Sequence, residues 1–338
     1  MAKPTVSVIM ANYNAADHLP AALQSVLSQS ISDIEVLLSD DASTDGSIKI
    51  ARQFAMQDPR LKVILTLQNA GPGAARNRAL KQARGEWIAI VDSDDIIHPQ
   101  RFERMMRAAA DLGTDAIADD LTYLIENQAQ SGATLLGSMM QTAPLELTLK
   151  SFVAPSENAP KLGYIKALIR RDVLQGLTYR EDIRVGEDHD FYVKFLLNGG
   201  RMHLLPQSLY LYRRHSVSIS HRLHPDDIMA MIRAQNDVMA QYPDIPDDLR
   251  ADMVARCSAL QKPLAFETLA ENLRRKRIGD AFVNIVRKPA LLLWLGGVLK
   301  ARAMRRIRPP KVQHKMLTDP SKWTLQEWAK ITVPAARS

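Results

Sequence analysis

Three carboxylates fall within four positions directly after an apolar run of the chain. Residues 87–91 are long enough to form one buried strand, and Asp92, Asp94 and Asp95 follow it at once. Carboxylates at the end of a buried strand are costly to desolvate unless a positive group lies beside them. The cluster therefore suits a divalent cation that holds a phosphorylated ligand, and a solvated acidic turn before the next helix is the alternative.

The elements that would position this cluster are four strand–helix units in residues 1–115. The predicted strands are residues 5–11, 33–39, 61–67 and 87–91, and the predicted helices are residues 17–29, 47–57, 73–84 and 99–112. Strands that alternate with helices predict a parallel sheet with right-handed crossovers. The predicted fold class is therefore α/β, with a Rossmann-like, mostly parallel central sheet flanked by helices.

Each predicted strand ends in a polar loop, and parallel strands place all four loops at the edge where ligands bind in open α/β sheets. Alone, each loop is also explained as a helix start or a turn; together they favour a nucleotide site. Neither Gly-x-Gly-x-x-Gly nor a P-loop motif is present, so a metal and cations such as Arg76 must meet the phosphate charge. Asp41 could instead accept a hydrogen bond from a base. The loops begin at Asn12, Asp40, Gln68 and Asp92.

Further along the chain, three acids open a helix that is predicted to begin near residue 187. Glu187, Asp188 and Asp190 precede an apolar pattern that continues to residue 197. Acids stabilise the amino end of a helix through its dipole, so a capped helix without a catalytic role is the structural alternative. That alternative explains one acid better than three. Short strands are predicted at residues 166–170, 202–205 and 209–212, and helices beyond residue 221.

The composition is typical of a soluble globular protein, with 46% hydrophobic and 24% charged residues among 338. The single cysteine, Cys257, excludes an intramolecular disulfide and a thiolate metal cage within one chain, and it suits a reducing compartment. Neither an export signal nor an apolar span near the ~20 residues that a membrane-crossing helix needs is expected. These features predict a cytoplasmic protein.

Basic charge is concentrated in one segment, residues 271–312. This segment contains twelve Lys and Arg residues and only two acids, Glu271 and Asp280. The whole chain carries +7, so the remainder is net acidic. Residues 288–308 combine an apolar run with flanking cations and could lie in a membrane interface, with Trp294 at headgroup depth. A packed helical hairpin with a solvated basic face is the alternative. Nucleic-acid binding is not expected, because no nucleic-acid module accompanies the basic charge.

Taken together, these motifs resemble those of the family 2 inverting glycosyltransferases of the GT-A fold. The similarity covers about residues 4–221, and within the family the chain resembles bacterial glucosyltransferases that assemble succinoglycan-type exopolysaccharides. Ala11 departs from the pattern, because many relatives have proline there. The motifs are Val8 to Asn14, Asp40 to Asp45, Asn69 and Gly71 with Ala75 to Asn77, Asp92 to Asp95, Gly186 to Asp188, and Tyr212 and Arg213 with His215 and Ser218.

The resemblance implies a role for each matching residue. Asp188 would be the general base that deprotonates the acceptor hydroxyl, with Glu187 as the next candidate. Asp94 and His215 would hold Mn²⁺ or Mg²⁺ at the diphosphate, and Asp95, beside Asp94, leaves that assignment open by one residue. The nucleotide-sugar would contact Ala11, Tyr13, Asp41, Arg76, Asp92, Arg213 and Ser218.

The resemblance also implies a function and a domain organisation. It implies transfer of a sugar, with glucose from UDP-glucose as the leading donor, to a polyprenyl-diphosphate-linked oligosaccharide, which forms a β-glycoside. The alternatives are transfer of another sugar (galactose, N-acetylglucosamine or rhamnose) to a polysaccharide or protein, and a silent nucleotide-sugar-binding module at the membrane. We expect a catalytic domain at residues 1–221, divided at residue 115, and a helical region at residues 222–338. The basic segment 271–312 would bring the protein to the cytoplasmic face of the inner membrane.

Overall fold

The computed structural model describes residues 3–125, 134–137, 142–154, 162–214, 223–293 and 296. Its strands are β1 (Val6–Asn12), β2 (Ile34–Asp40), β3 (Leu61–Leu65), β4 (Trp87–Ile90), β5 (Ile96–Ile97), β6 (Ala116–Ile125), β7 (Leu145–Leu147), β8 (Leu168–Arg170) and β9 (Met202–Arg214). Its helices are α1 (Leu19–Leu27), α2 (Ser47–Gln57), α3 (Pro72–Leu80), α4 (Arg101–Leu112), α5 (Leu149–Val153), α6 (Glu187–Leu197), α7 (Pro225–Gln241), α8 (Asp247–Arg274) and α9 (Ile278–Arg287).

A single mixed sheet organises the first compact unit, with strand order β3-β2-β1-β4-β8-β6-β9-β5 and β7 paired to β9. The first four strands are parallel, as the strand–helix alternation predicts, and they are mostly apolar, as is typical of parallel sheets. All seven residues of β2 are buried. The α/β prediction is confirmed, and the carboxyl ends of β1 to β4 lie at one edge.

The second half of the sheet differs from the sequence prediction most clearly in β6 and β9. β6 was not predicted, because Asp119 and Asp120 interrupt its apolar pattern. β9 is one long strand rather than the two short strands predicted around Pro206. The β6–β9 pairing is parallel and shifts register next to Asp119 and Asp120, opposite residues 205–208. This bulge lets a single strand continue through the proline.

β8 runs antiparallel to both of its neighbours, β4 and β6. An antiparallel strand between parallel ones begins at the edge where they end. The residue just before β8, Lys166, therefore lies beside the carboxyl end of β4, where the acidic cluster begins. Strand direction thus brings a lysine to the site.

The second compact unit consists of residues 153–154, 223–293 and 296 among those described, and it is helical. α8 and α9 pack through a small apolar cluster that contains Leu269, Ala281 and Leu291. The turn between these helices passes through Lys276, which has a φ of +58°. The predicted carboxy-terminal helical region is confirmed for the described part. Among the described residues, no helix is long and apolar enough to cross a membrane.

Gly85 provides a direct test of packing at the start of β4. Its N–H donates to the Ser7 hydroxyl over 2.7 Å, and an added Cβ would lie 2.4 Å from the Ser7 nitrogen. Since backbone atoms must shift to relieve that clash, Gly85→Ala should lower the free energy of unfolding by about 1–3 kcal/mol. Chemical denaturation measures this loss. Gly163→Ala is the matched control, because its Cβ would meet His189 at an ordinary 3.6 Å, and equal stability of the two variants would contradict the prediction.

Candidate active site

The loops after β1 and β2 meet through polar side chains. Asn12 donates from its side-chain amide to Asp40 over 2.6 Å, and both residues are buried. Ala11 lies near the end of β1, and Tyr13, the first residue after it, is 47% exposed. A flat, half-exposed tyrosine at this edge offers a surface on which a base can stack.

Asp41 follows β2, and its buried carboxylate is enclosed by hydrogen-bond donors. One oxygen accepts from the backbone N–H groups of Gly71 (2.7 Å) and Ala70 (2.9 Å), and the other accepts from Arg78 over 2.5 Å. Gly71 has a φ of +90°, a conformation that favours glycine. The second and third loops therefore meet at Asp41, and the arginine beside it is Arg78 rather than Arg76.

Arg76 lies instead in a buried charge cluster of five residues, which we call the central cluster. Its guanidinium donates to Glu187 over 2.6 Å and to Asp92 over 2.8 Å. The ammonium of Lys166 lies 2.6 Å from Asp188 Oδ2 and 2.8 Å from Asp92 Oδ2. Two cations thus connect the acid after β4 with both acids at the start of α6.

The two carboxylate oxygens of Asp188 differ in their hydrogen bonding. Its Oδ2 accepts from Lys166. Its Oδ1 is buried and makes no hydrogen bond among the described residues, although Arg76 Nη1 lies 3.3 Å away. A buried carboxylate oxygen without a hydrogen bond is costly unless a ligand donates to it. Asp188 is therefore oriented by Lys166, and its Oδ1 can accept a hydrogen bond from a further donor.

Burial and charge act against each other in the central cluster. Burial raises the pKa of Asp92, but Lys166 and Arg76 outweigh it and hold that pKa well below its usual range. Burial lowers the pKa of Lys166, but Asp188 and Asp92 raise it well above its usual value. Burial and the neighbouring Asp188 raise the pKa of Glu187. Lys166 and Arg76 therefore stay charged at neutral pH.

A second layer of buried groups fixes the position of Lys166. Arg101, in the first turn of α4, is fully buried and donates to the carboxylate of Asp119 over 2.8 Å and to the backbone carbonyl of Lys166. The guanidinium of Arg101 also lies over the ring of Tyr210, 4.9 Å from its centroid. The start of β8 is therefore anchored to α4, β6 and β9 together.

Tyr210 and Arg213 of β9 anchor the acidic cluster that follows β4. Asp95 is buried, and its two oxygens accept from the Tyr210 hydroxyl and from the backbone N–H of Arg213, each over 2.7 Å. Arg213 Nε donates to the backbone carbonyl of Asp94 over 2.9 Å. Burial and the neighbouring Asp94 and Asp92 raise the pKa of Asp95 well above its usual value.

The acidic cluster suits a hard divalent cation. Asp92, Asp94 and Asp95 each offer an oxygen within 4.8 Å of the others. Carboxylate oxygens are the ligands that Mg²⁺ and Mn²⁺ prefer. Carboxylates outnumber cations in these two clusters, so added positive charge would be stabilised there.

Gly186 shapes the start of α6. It has a φ of +92°, so the turn before Glu187 requires glycine. Asp190, also in the first turn, forms an ion pair with Lys194 over 2.9 Å one turn later. The three predicted acids therefore divide: Glu187 and Asp188 join the central cluster, and Asp190 pairs within the helix.

The structure brings Asp92, Arg76 and Asp188 together, and it places Arg213 against Asp94. His215 and Ser218 lie outside the described residues. Sequence reasoning missed Lys166, Arg78 and Tyr210 as site residues. For Lys166 the available signal was a lysine at the start of an apolar segment, which reads Ile165-Lys166-Ala167-Leu168-Ile169.

Comparison with known families and proteins agrees with this arrangement. Residues 7–175 match the model of the family described as glycosyl transferase family 2. Succinoglycan biosynthesis protein ExoO of Rhizobium meliloti (strain 1021) is 32% identical over 99% of this chain and 94% of its own length. ExoU of the same organism, also a succinoglycan biosynthesis protein, is 30% identical over 91% of each chain.

Solved structures share the fold at lower identity. S. aureus TarS residues 1–349, solved in complex with UDP-GlcNAc, is 20% identical with a TM-score of 0.57, over 84% of this chain and 92% of that one. Mannosyltransferase PcManGT from Pyrobaculum calidifontis, solved with GDP-Man and Mn²⁺, is 18% identical with a TM-score of 0.54, over 92% of this chain and 89% of that one. These neighbours are GT-A glycosyltransferases, so the predicted fold is confirmed.

Proposed function

The chain belongs to glycosyl transferase family 2, and on that basis we propose that it is a metal-dependent inverting enzyme of exopolysaccharide biosynthesis. It moves a hexose, glucose in the leading case, from a UDP-sugar to a hydroxyl of a lipid-linked oligosaccharide. The observation that carries the proposal is Asp188, which lies beside the acidic cluster with one oxygen held by Lys166 and the other buried without a hydrogen bond, 3.3 Å from Arg76 Nη1. A carboxylate in that state is suited to accept the proton of an attacking hydroxyl.

Asp188 acts as the general base in this mechanism. Lys166 holds Oδ2, which leaves Oδ1 to accept the acceptor hydroxyl's proton as that oxygen attacks the anomeric carbon. Such proton transfer contributes about 10²–10⁴-fold to the rate. One base without an enzyme nucleophile means a single displacement, so an α-linked donor yields a β-glycoside.

The acidic cluster and the cations beside it serve the leaving diphosphate. Asp94 would hold the Mn²⁺ or Mg²⁺, with His215 as the second proposed ligand. Asp95 is the weaker candidate because both of its oxygens already anchor β9. When bound, the ion stabilises the negative charge that develops on the diphosphate. Arg213, held against Asp94, and Ser218 would add donors to the phosphates.

The nucleoside end of the donor lies over the first two loops in this proposal. Ala11 and Tyr13 would flank the uracil, and Asp41 would accept from its N–H. Asp92 would contact the ribose or the sugar, and Arg76 would keep Asp92 charged and oriented. The half-exposed Tyr13 supports these roles, and Arg78 and the backbone N–H of Gly71 hold the Asp41 carboxylate in place at the same edge of the sheet.

Asp41→Asn tests the nucleotide end of the site. The loss of charge weakens the bonds that Asp41 forms with Arg78 and with the β3–α3 loop, so the Kd for UDP should rise at least about tenfold. Isothermal titration calorimetry with UDP and Mn²⁺ measures the change. Asp58→Asn is the matched control, since Asp58 also pairs with an arginine, Arg60, at 2.7 Å but precedes β3 at the opposite edge. A Kd within about twofold of the parent in Asp41→Asn would remove Asp41 from the proposed site.

Relatives support the choice of reaction and leave the donor to experiment. ExoO and ExoU are named for succinoglycan biosynthesis, which supports a role in the assembly of an exopolysaccharide. The TarS complex with UDP-GlcNAc supports a UDP-linked donor and keeps GlcNAc beside galactose and rhamnose as alternatives to glucose. UDP release from a panel of donors, with Mn²⁺ and with EDTA, tests the function. Release without a divalent ion would contradict metal dependence, and no release from any UDP-sugar would favour a silent binding module.

The proposed domain organisation places catalysis in residues 1–221 and a helical region in residues 222–338. The nucleotide-binding half would be residues 1–115, and the acceptor and catalytic half residues 116–221. An acceptor carried on a lipid requires the enzyme to work at a membrane surface. We therefore place the protein on the cytoplasmic face of the inner membrane, with the basic segment 271–312 as the contact.

A further inference from the structure

Large apolar side chains are exposed along one face of α9. Ile278, Phe282 and Val286 are 65%, 66% and 61% exposed, and they follow one another at intervals of four residues. Residues spaced in this way lie on one side of a helix, so the three form a continuous stripe.

This stripe is separate from the surface by which α9 packs on α8. The packing surface consists of Ala281, which is buried, and Ile285, which contacts the cluster around Leu269. Asn284 accepts a hydrogen bond from Asn272 of α8 over 3.0 Å and fixes how the helix is turned. The helix is therefore already held on one side, and its apolar stripe is left to meet something else.

Cations surround the stripe at both ends of the helix. Lys276 and Arg277 lie directly before α9, Arg287 ends it, and all three are exposed. Asp280 is the only acid between residues 272 and 293. Apolar side chains bordered by cations match the boundary between the acyl chains and headgroups of an anionic bilayer. Exposure of these apolar side chains to water is unfavourable. An apolar partner protein would cover them but would give the flanking cations no counter-charge.

We propose that the face of α9 formed by Ile278, Phe282 and Val286 docks on anionic lipid bilayers, with Lys276, Arg277 and Arg287 on the headgroups. The proposal rests on the lipid-linked acceptor of the proposed function, and it assigns the contact to α9 instead of the apolar run at residues 288–308. The helix lies in the plane of the interface, since its ten residues are too few to cross a bilayer.

Vesicle co-sedimentation of the full chain tests this assignment. The probes are vesicles of phosphatidylcholine alone and vesicles of phosphatidylcholine with about 30% phosphatidylglycerol, which gives them an anionic surface. The full chain should bind the anionic vesicles, and binding should weaken in high salt. The triple variant Ile278→Gln, Phe282→Gln and Val286→Gln should bind at least about tenfold less. Glutamine is a good helix former, so α9 should persist.

Met56→Gln is the matched control, because Met56 is also an exposed apolar residue, 79% exposed, on α2. It should bind vesicles like the parent, and circular dichroism should show equal helix content in all three proteins. Anionic-vesicle binding by the triple variant equal to that of the parent would overturn the proposal. A second result would also overturn it: light scattering shows a dimeric parent and a monomeric triple variant, and neither protein binds vesicles. In that case a second copy of the chain covers the face.

UDP release from the donor keeps this test separate from the proposed function. The triple variant should release UDP from the soluble donor at the parent's rate, because its substitutions lie outside the proposed catalytic residues. A parent that binds anionic vesicles through α9 but releases no UDP would support the docking face and refute the transferase. A parent that transfers sugar but binds no anionic vesicle would refute the docking face alone.

Discussion

Asp188→Asn is expected to lower the rate of sugar transfer by about 10²–10⁴-fold or more while the Kd for UDP stays within about twofold. Asparagine keeps the size of the side chain and can still accept from Lys166 through its amide oxygen. The atom that replaces Oδ1 is then an amide nitrogen, which cannot take a proton from the acceptor hydroxyl. Steady-state kinetics with a saturating donor, together with calorimetry for UDP, separates these two effects.

Two variants on the same helix act as controls for Asp188→Asn. Asp190→Asn changes a buried acid that pairs with Lys194, so turnover should remain within about threefold of the parent. Glu187→Gln removes the acid that Arg76 holds. Substantial turnover in Asp188→Asn would move the base elsewhere, and loss of transfer in Glu187→Gln alone would assign it to Glu187.

Lys166→Met is expected to have the second large effect. Methionine fills a similar volume but leaves Asp92 and Asp188 with Arg76 as their remaining buried cation among the described residues. Breaking a buried ion pair from one side costs about 3–5 kcal/mol. The free energy of unfolding should fall by that order, and turnover should fall at least about 100-fold because Asp188 loses its orientation.

A double-mutant cycle separates the charge effect from a packing effect. If Lys166 stabilises Asp188 by charge, Lys166→Met together with Asp188→Asn should be less destabilised than the sum of the single variants by about 1–3 kcal/mol. Urea denaturation of the four proteins measures this coupling free energy. Additive losses would show that Lys166 supports β8 by packing and does not position Asp188. Lys166→Arg, which keeps the charge, should retain more activity than Lys166→Met.

The first half of the fold could be predicted because its signals are local. Each of β1 to β4 is an apolar run that ends in a polar loop, and the alternation with helices implies a parallel sheet. The carboxylates after β4 and at the start of α6 were visible for the same reason. Asp92 and Asp188 are ninety-six positions apart, yet the place of each carboxylate at the site can be inferred from the sequence of its own segment and from the direction of its strand or helix.

The part of the second half around β6 and β8 could not be predicted in full because its signals are non-local. Asp119 interrupts the apolar pattern of β6 in the sequence, but Arg101 neutralises it in the fold. Arg101 is itself fully buried in a helix whose first turn reads as solvated. Lys166 reaches the site only because β8 runs against its neighbours, and strand direction in a mixed sheet is set by pairing partners rather than by the strand's own residues.

The assignment of Arg76 shows the same limit on a smaller scale. Arg76 and Arg78 stand two positions apart on α3, so they project from different sides of the helix. Arg78 meets Asp41 at the nucleotide end, and Arg76 meets Asp92 and Glu187 in the central cluster. Sequence spacing alone does not say which of the two faces which carboxylate.

The most direct test of the proposed mechanism is the configuration of the sugar that is first released when water replaces the acceptor. Proton NMR of slow UDP-glucose hydrolysis with Mn²⁺, or of whichever α-linked donor the panel identifies, records the anomer before it equilibrates. Single displacement with Asp188 as the base predicts that the β-anomer is formed first and that Asp188→Asn abolishes its formation. Initial release of the α-anomer, or an unchanged rate in Asp188→Asn, would contradict the mechanism.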